Sequence, residues 1–393
     1  MTWFTRKRIY ADYASTTPLS CAVGRHMRRA ALRYPGNPSA IYKEGVESRR
    51  FIEGERERVA TLLGVRANEI YFTSGGTEAN ATIIHGVIHN HLKKGKNPSD
   101  VHVVTSTIEH SSILETIRRF ERSGVEVTYV APGEDGVIRV EDVAKAIRTH
   151  TILVTVMYVN NEIGTIQPIA KIGSLVRKIR AEKLTEHPIF HTDASQAPLW
   201  LPCTLEGLRV DAMTLDAHKM EGPRGVGVLV ARSHVSWEPY MIGGGQERGK
   251  RATTESVALI AGFTEALSRA VSGREKRVKK ISKVRDALIK AVSEMEGVLI
   301  NGSLSRRLPN NVNISVLNLS DAELAVLVFD HAGIACSTKS SCLKGETESY
   351  VVKSLGGDPR RARTTLRFSF GRWSRLSHVR RIIRVLARLN SRS

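Results

Sequence analysis

Apolar, β-rich runs alternate with amphipathic stretches for more than half of the chain. The runs at 70–74, 101–106, 125–130, 152–159, 189–193, 212–215 and 225–230 read as seven strands. Between most of them, apolar residues recur at helical spacing, at 78–91, 111–123, 141–147 and 172–183. Strands alternating with helices predict a mainly parallel sheet covered on both faces, joined by right-handed crossovers. After residue 256 the rhythm changes: two long helical segments at 256–271 and 275–296 come first. Short strands at 298–301, 311–316 and 365–370 are then interleaved with helices at 321–331 and 377–389. The expected organisation is a large α/β domain over 15–256 and a smaller α+β domain built from 1–14 and 257–393.

Composition narrows the class. With 393 residues, 41% hydrophobic and 25% charged, the chain can bury a large core as an ordinary soluble globular protein. No apolar stretch reaches the ~18 residues that would mark a membrane span. The N-terminal sequence MTWFTRKR lacks the apolar region of a secretory signal. Four cysteines (Cys21, Cys203, Cys336, Cys342) make a poor disulfide framework for this length, and no CxxC pair points to a zinc site or a redox dithiol. The expectation is a reducing, cytoplasmic setting without metal or membrane, in which a free thiol can be used.

The net charge of +20 is the unusual bulk feature, and residues 360–393 hold eleven Arg with no Asp or Glu. A basic stretch of this kind can face nucleic acid or an acidic partner. Here Val379, Ile382, Ile383, Leu386 and Leu389 recur at helical spacing between the arginines. That pattern favours an amphipathic helix docked on the core and leaves direct nucleic-acid binding as the lesser reading.

Two segments carry chemistry. SGGTEAN at 74–80 follows a strand and opens a helix, where glycines, free N–H groups and the Thr77 hydroxyl can cradle a phosphate. DAHK at 216–219 places Lys219 just past the end of a strand, where ligands bind in α/β sheets. A surface lysine is the ordinary alternative. Pyridoxal phosphate (PLP), however, needs a lysine for its aldehyde, a carboxylate to keep its pyridine nitrogen protonated and a phosphate cradle. Asp193, ending the preceding strand, can supply that carboxylate; a buried structural aspartate is its alternative reading.

Taken together, these residues resemble the class V branch of fold-type I PLP enzymes, and within it the bacterial cysteine desulfurases that serve iron–sulfur assembly. The similarity runs nearly end to end. It covers YADYASTTP at 10–18, GNPS at 36–39, FTSGGTE at 72–78, EH at 109–110 and VNNEIG at 159–164. It continues through DASQ at 193–196, HK at 218–219, GGGQERG at 243–249, SSC at 340–342 and LRFSFGR at 366–372. The resemblance implies a PLP-dependent transferase with a seven-stranded sheet. Lys219 is then the Schiff-base lysine, Asp193 the pyridinium partner and Gln196 the donor to the ring hydroxyl. His110 stacks on the ring and assists proton transfer. Gly76, Thr77 and His218 form the phosphate site, joined by Thr254 from the second subunit of a homodimer. Asn161 and Arg367 grip the carboxylate of L-cysteine, for which a planar guanidinium is suited. Cys342 is the nucleophile that takes the sulfur as a persulfide and passes it to protein acceptors, an iron–sulfur scaffold or a tRNA-thiolation enzyme. Lys339, Lys344 and the polar flanks of Cys342 favour an accessible thiolate. Cys336 reads as packing; Cys21 and Cys203 have no assigned role.

The chain departs from the family pattern in four places. Asp216 stands where the family generally has a phosphate-binding Ser, and a carboxylate there repels a phosphate unless protonated or turned away. Lys339 replaces a Gly, Tyr42 replaces a common His, and the run at 184–188 reads as a surface insertion. Other readings are a selenocysteine lyase or aminotransferase of the same fold, or a weakly active basic scaffold protein.

Overall fold

The computed structural model describes residues 8–338 and 348–390. Its strands, in chain order, are β1 (Ile9–Tyr10), β2 (Ile70–Thr73), β3 (His102–Ser106), β4 (Glu126–Val130), β5 (Thr151–Thr155) and β6 (Ile189–Asp193). They continue as β7 (Ala212–Asp216), β8 (Gly227–Ala231), β9 (Val298–Ile300), β10 (Asn311–Val316), β11 (Ile334–Ala335) and β12 (Thr365–Ser369). Seven of them form one sheet in the order β2-β8-β7-β6-β5-β3-β4. Pairing is parallel from β7 to β4, while β8 runs antiparallel to both of its neighbours. Every residue of β3, β5, β6, β7 and β8 is buried. That explains why these runs read as continuous apolar blocks rather than alternating ones: helices cover both faces.

Nearly all the expected elements are present. The helix over 78–91 is Gly76–Lys93, and those over 256–271 and 275–296 are Val257–Ser272 and Arg274–Ser293. The expected strand at 152–159 stops at Thr155. Beyond it the Val156 and Tyr158 amides still donate to β6, to the carbonyls of His191 (3.3 Å) and Asp193 (2.9 Å), while the Met157 amide donates to Glu109 Oε1 (3.0 Å). Helices Cys21–Arg33 and Lys43–Leu63 are absent from the periodicity reading. The first buries only Val23 and Ala30, too narrow a stripe to stand out. The second ends on Gly64, whose φ of 68° closes the helix in the left-handed region that glycine tolerates.

A second, antiparallel sheet has the order β12-β10-β9, and β1 pairs in parallel with β11. One buried apolar cluster runs from Phe190 and Met213 of the large sheet to Ile314 and Phe368 of the small one. A separate cluster under helix Gly76–Lys93 joins Ile83, Val87 and Leu229. Of the run at 184–188, residues 184–186 are exposed, whereas His187 is half-buried and Pro188 buried. Among the described residues no helix is long and apolar enough to cross a membrane.

Candidate active site

The parallel strands deliver their chemistry at their carboxyl ends, where an α/β sheet opens its crevice. Strand β3 leads to Glu109 and His110, β6 ends in Asp193, and β7 ends in Asp216 ahead of His218 and Lys219. The turn after β2 opens helix Gly76–Lys93 at the same end. Glu109 apart, these residues and Gly76 line a cavity of about 160 Å³ that also holds Ser15, Thr77, Asn80, Asn161, Ser195, Gln196 and Arg367.

Lys219 Nζ donates to the carbonyls of Ala14 and Ser15, both at 2.8 Å. Asp193 is held from two sides, by the Ser195 amide (2.9 Å) and Asn80 Nδ2 (2.8 Å). Asn80 also donates to Ser112 Oγ (3.0 Å), which lies 2.9 Å from His110 Nδ1. The Ser112 backbone N–H donates to that same Nδ1 (3.2 Å), so a neutral His110 ring carries its proton on Nε2. Burial, with Lys219 adding to it and Asp193 opposing, holds His110 below the usual imidazole range. Gln196 Nε2 donates to the Ala14 carbonyl at 2.9 Å.

Arg367 comes from β12 of the small sheet and is almost fully buried. Its Nη2 donates to Asp12 Oδ1 (2.9 Å) and Ser15 Oγ (2.7 Å), and its Nη1 to the Asn161 carbonyl (2.9 Å). Segment 12–17 therefore ties the arginine to the lysine, a contact spanning 355 residues that no local pattern announces. Asp12, Ser15, Asn80 and Ser195 are the site residues that sequence reasoning left unassigned. Their presence in quoted motifs was the only signal. Thr254 is exposed and lies outside the cavity lining. Cys342, with Lys339 and Lys344, lies outside the described residues. The nearest described residues before and after it are tied to site elements. Ser337 pairs with the Arg367 backbone, and the Tyr350 hydroxyl donates to the Glu109 carbonyl. Cys336 is buried among apolar neighbours, and burial pushes its thiol up, as expected of a packing residue.

The family model for class-V aminotransferases matches residues 9–382. The chain belongs to this family. A curated relative, the cysteine desulfurase IscS of Dictyoglomus turgidum, is 37% identical over 98% of this chain and 95% of its own. Among solved structures, a NifS-like protein superposes with a TM-score of 0.88 at 32% identity, covering 98% of this chain and all of its own. SspA, solved in complex with cysteine, gives 0.78 at 30% identity over 92% of this chain and 99% of its own.

Class-V aminotransferases are PLP enzymes, and the cavity fits such a group. It offers an amine, a carboxylate and an imidazole around one space. Ser195 Oγ, Asn161 Oδ1 and Arg367 Nε are buried with no hydrogen-bond partner among the described residues. A Cβ at Gly76 would come within 3.1 Å of Ser195 Oγ and 3.2 Å of Asp216 Oδ2, so glycine keeps that recess open.

Proposed function

We propose that the chain is a PLP-dependent cysteine desulfurase that converts L-cysteine to L-alanine and carries the sulfur as a persulfide on Cys342. The observation that carries this reading is the convergence of Lys219, Asp193, His110 and Arg367 on one cavity whose flanking chain leads to a cysteine. Lys219 would hold the cofactor's aldehyde, Asp193 would serve its pyridine nitrogen, Gln196 its hydroxyl, and the start of helix Gly76–Lys93 with Thr77 and His218 its phosphate. PLP bound in this way supplies an electron sink conjugated to the α-carbon of the substrate.

The chain's own residues do the rest. Arg367 receives the substrate carboxylate with Asn161 beside it; its guanidinium is already oriented by Asp12 and Ser15, so little ordering is lost on binding. Lys219, once released, sits at the end of β7 to take the α-proton. His110 is neutral at physiological pH and can pass a proton at Nε2. The Cys342 thiolate attacks the substrate sulfur. An S–S bond forms as the C–S bond breaks, the C–S electron pair stays on the carbon fragment, and protonation of that fragment gives alanine.

A homodimer is part of the proposal. Its support is a set of exposed apolar side chains, Ile41 (93% exposed), Ile242 (85%) and Leu32 (73%). In the dimer Thr254 completes the phosphate site of the partner. The sulfur passes to protein acceptors of iron–sulfur or tRNA-thiolation assembly, in a reducing cytoplasm.

The test is to incubate the holoenzyme with L-cysteine and a reductant and measure alanine and sulfide together. Cys342→Ala is expected to retain the visible absorbance of the Lys219-bound cofactor and to lose sulfide release. Undiminished release by that variant, or failure of borohydride to fix a pyridoxyl group on Lys219, overturns the reading. Labelled sulfur on Cys342 that moves to no acceptor protein sinks the acceptor assignment alone.

A further inference from the structure

The start of helix Gly76–Lys93 is the natural seat for the cofactor's phosphate, because its first amides point into the cavity without helical partners. An anion from the chain itself already occupies that seat. Asp216 Oδ2 accepts the Gly76 amide at 2.7 Å. It also lies 3.5 Å from His218 Nε2, while Oδ1 accepts the His218 amide at 3.2 Å. Oδ2 is 3.4 Å from the position a Cβ on Gly75 would take and 3.2 Å from that on Gly76, so the carboxylate sits against the glycine pair. Burial favours the neutral acid, but the hydrogen bond and charge of His218 and the Gly76 amide outweigh it, so the carboxyl lies below its usual range. Arg251, a possible counter-charge at this helix end, is committed to Glu78 in a two-bond pair at 2.7 and 3.0 Å.

We propose that Asp216 is a resident competitor of the cofactor's phosphate, so that the chain gains little affinity from that phosphate and holds PLP only slightly better than unphosphorylated pyridoxal. The inference rests on Lys219 being the cofactor lysine. Its physical content is that a tethered carboxylate meets the Gly76 amide at high effective concentration. A phosphate must either displace it, losing the Asp216 contacts, or sit beside it as a like charge in a half-dry recess, where repulsion is far less screened than in water.

The experiment titrates the full-length apoprotein with PLP and, separately, with pyridoxal, reading the visible absorbance of the Lys219 adduct. It is repeated with Asp216→Ser and with the isosteric, neutral Asp216→Asn. Wild type is expected to show dissociation constants for the two aldehydes within about tenfold of each other. Both substitutions are expected to tighten PLP by about tenfold or more while moving pyridoxal by less than about threefold. If either folded variant binds PLP no better than wild type, or if wild type already prefers PLP as strongly as the variants do, the competitor role is overturned and the cofactor reading survives. If neither aldehyde forms an adduct in any of the three proteins, the lysine assignment falls and takes this inference with it.

Discussion

Glu109 sits at the carboxyl end of β3 with no exposure to solvent. One of its oxygens accepts from Ser106 and the Met157 amide; the other has no partner among the described residues. Burial pushes its carboxyl up to about 8, with Asp193 contributing a smaller like-charge push. The folded state therefore keeps a proton that the unfolded chain releases near pH 4.5. Its stabilising contribution is full below that value and is lost as pH rises toward 8. Glu109→Gln, which is permanently neutral, is expected to remove this part of the decline. Urea midpoints measured from pH 5.5 to 8.5 should fall more for wild type than for the variant, and parallel curves would refute the assignment. His191, on β6 two strands away, works in the opposite sense: burial lowers it to about 4, against the pull of Asp193. Its contribution is present above pH 6.5 and fades as pH falls through the range down to 4. Neither side chain is among the residues that line the cavity.

At the scale of elements, the helix Leu376–Asn390 shows how a basic stretch becomes part of a core. Val379, Ile382 and Leu386 are buried, and Ile383 and Leu389 pack at the margin. Arg384 and Arg388 stay in solvent. The expected docked amphipathic helix is thus the observed one; Arg380, Arg384 and Arg388 are its outer face, while the half-buried Arg381 donates to the Ala332 carbonyl (2.9 Å). Ile382→Ala is expected to cost about 2–5 kcal/mol through lost burial and the cavity left behind. Arg384→Ala should stay within about 0.5 kcal/mol. Chemical denaturation of the two variants side by side checks this, and equal losses would mean that the arginine face is structural. Helix Lys43–Leu63 depends on charge. Arg56 in helix Lys43–Leu63 meets Glu247 through two bonds, at 2.7 and 2.8 Å, and Glu247 also accepts the Phe72 amide at 3.0 Å. This buried pair pins the turn after the triple glycine to β2, which a charged, weakly periodic helix could not do by apolar packing alone.

For the whole molecule, the question is what the exposed apolar side chains cover. Leu32, Ile41 and Ile242 are large and almost bare, on a chain whose net charge of +20 would otherwise keep copies apart. A dimer that buries them is expected to have twice the molar mass of one chain by light scattering at micromolar concentration. Ile242→Glu should shift it toward the single-chain mass and weaken cofactor retention. A wild-type protein that runs as a monomer would remove the subunit-crossing role of Thr254.

The seven strands of the large sheet were legible in the sequence because each is a β-rich run bounded by turns, and five of them are buried throughout. Lys219 and Asp193 were legible because they stand at or just past the ends of such runs, where a parallel sheet presents its chemistry. The resemblance added His110, Arg367 and Asn161, which no periodicity marks. Helices Cys21–Arg33 and Lys43–Leu63 were not legible: their faces are held by few apolar residues or by ion pairs to distant partners. Nor was the tie from Arg367 through Asp12 and Ser15 to Lys219, which joins residues hundreds of positions apart. Asp216 shows the division most clearly. Its sequence position signals a departure from the family pattern, but only the fold brings its carboxylate onto the Gly76 amide. Local periodicity records which face of an element is buried; hydrogen bonds between strand ends depend on how the elements are stacked, and only tertiary packing decides that.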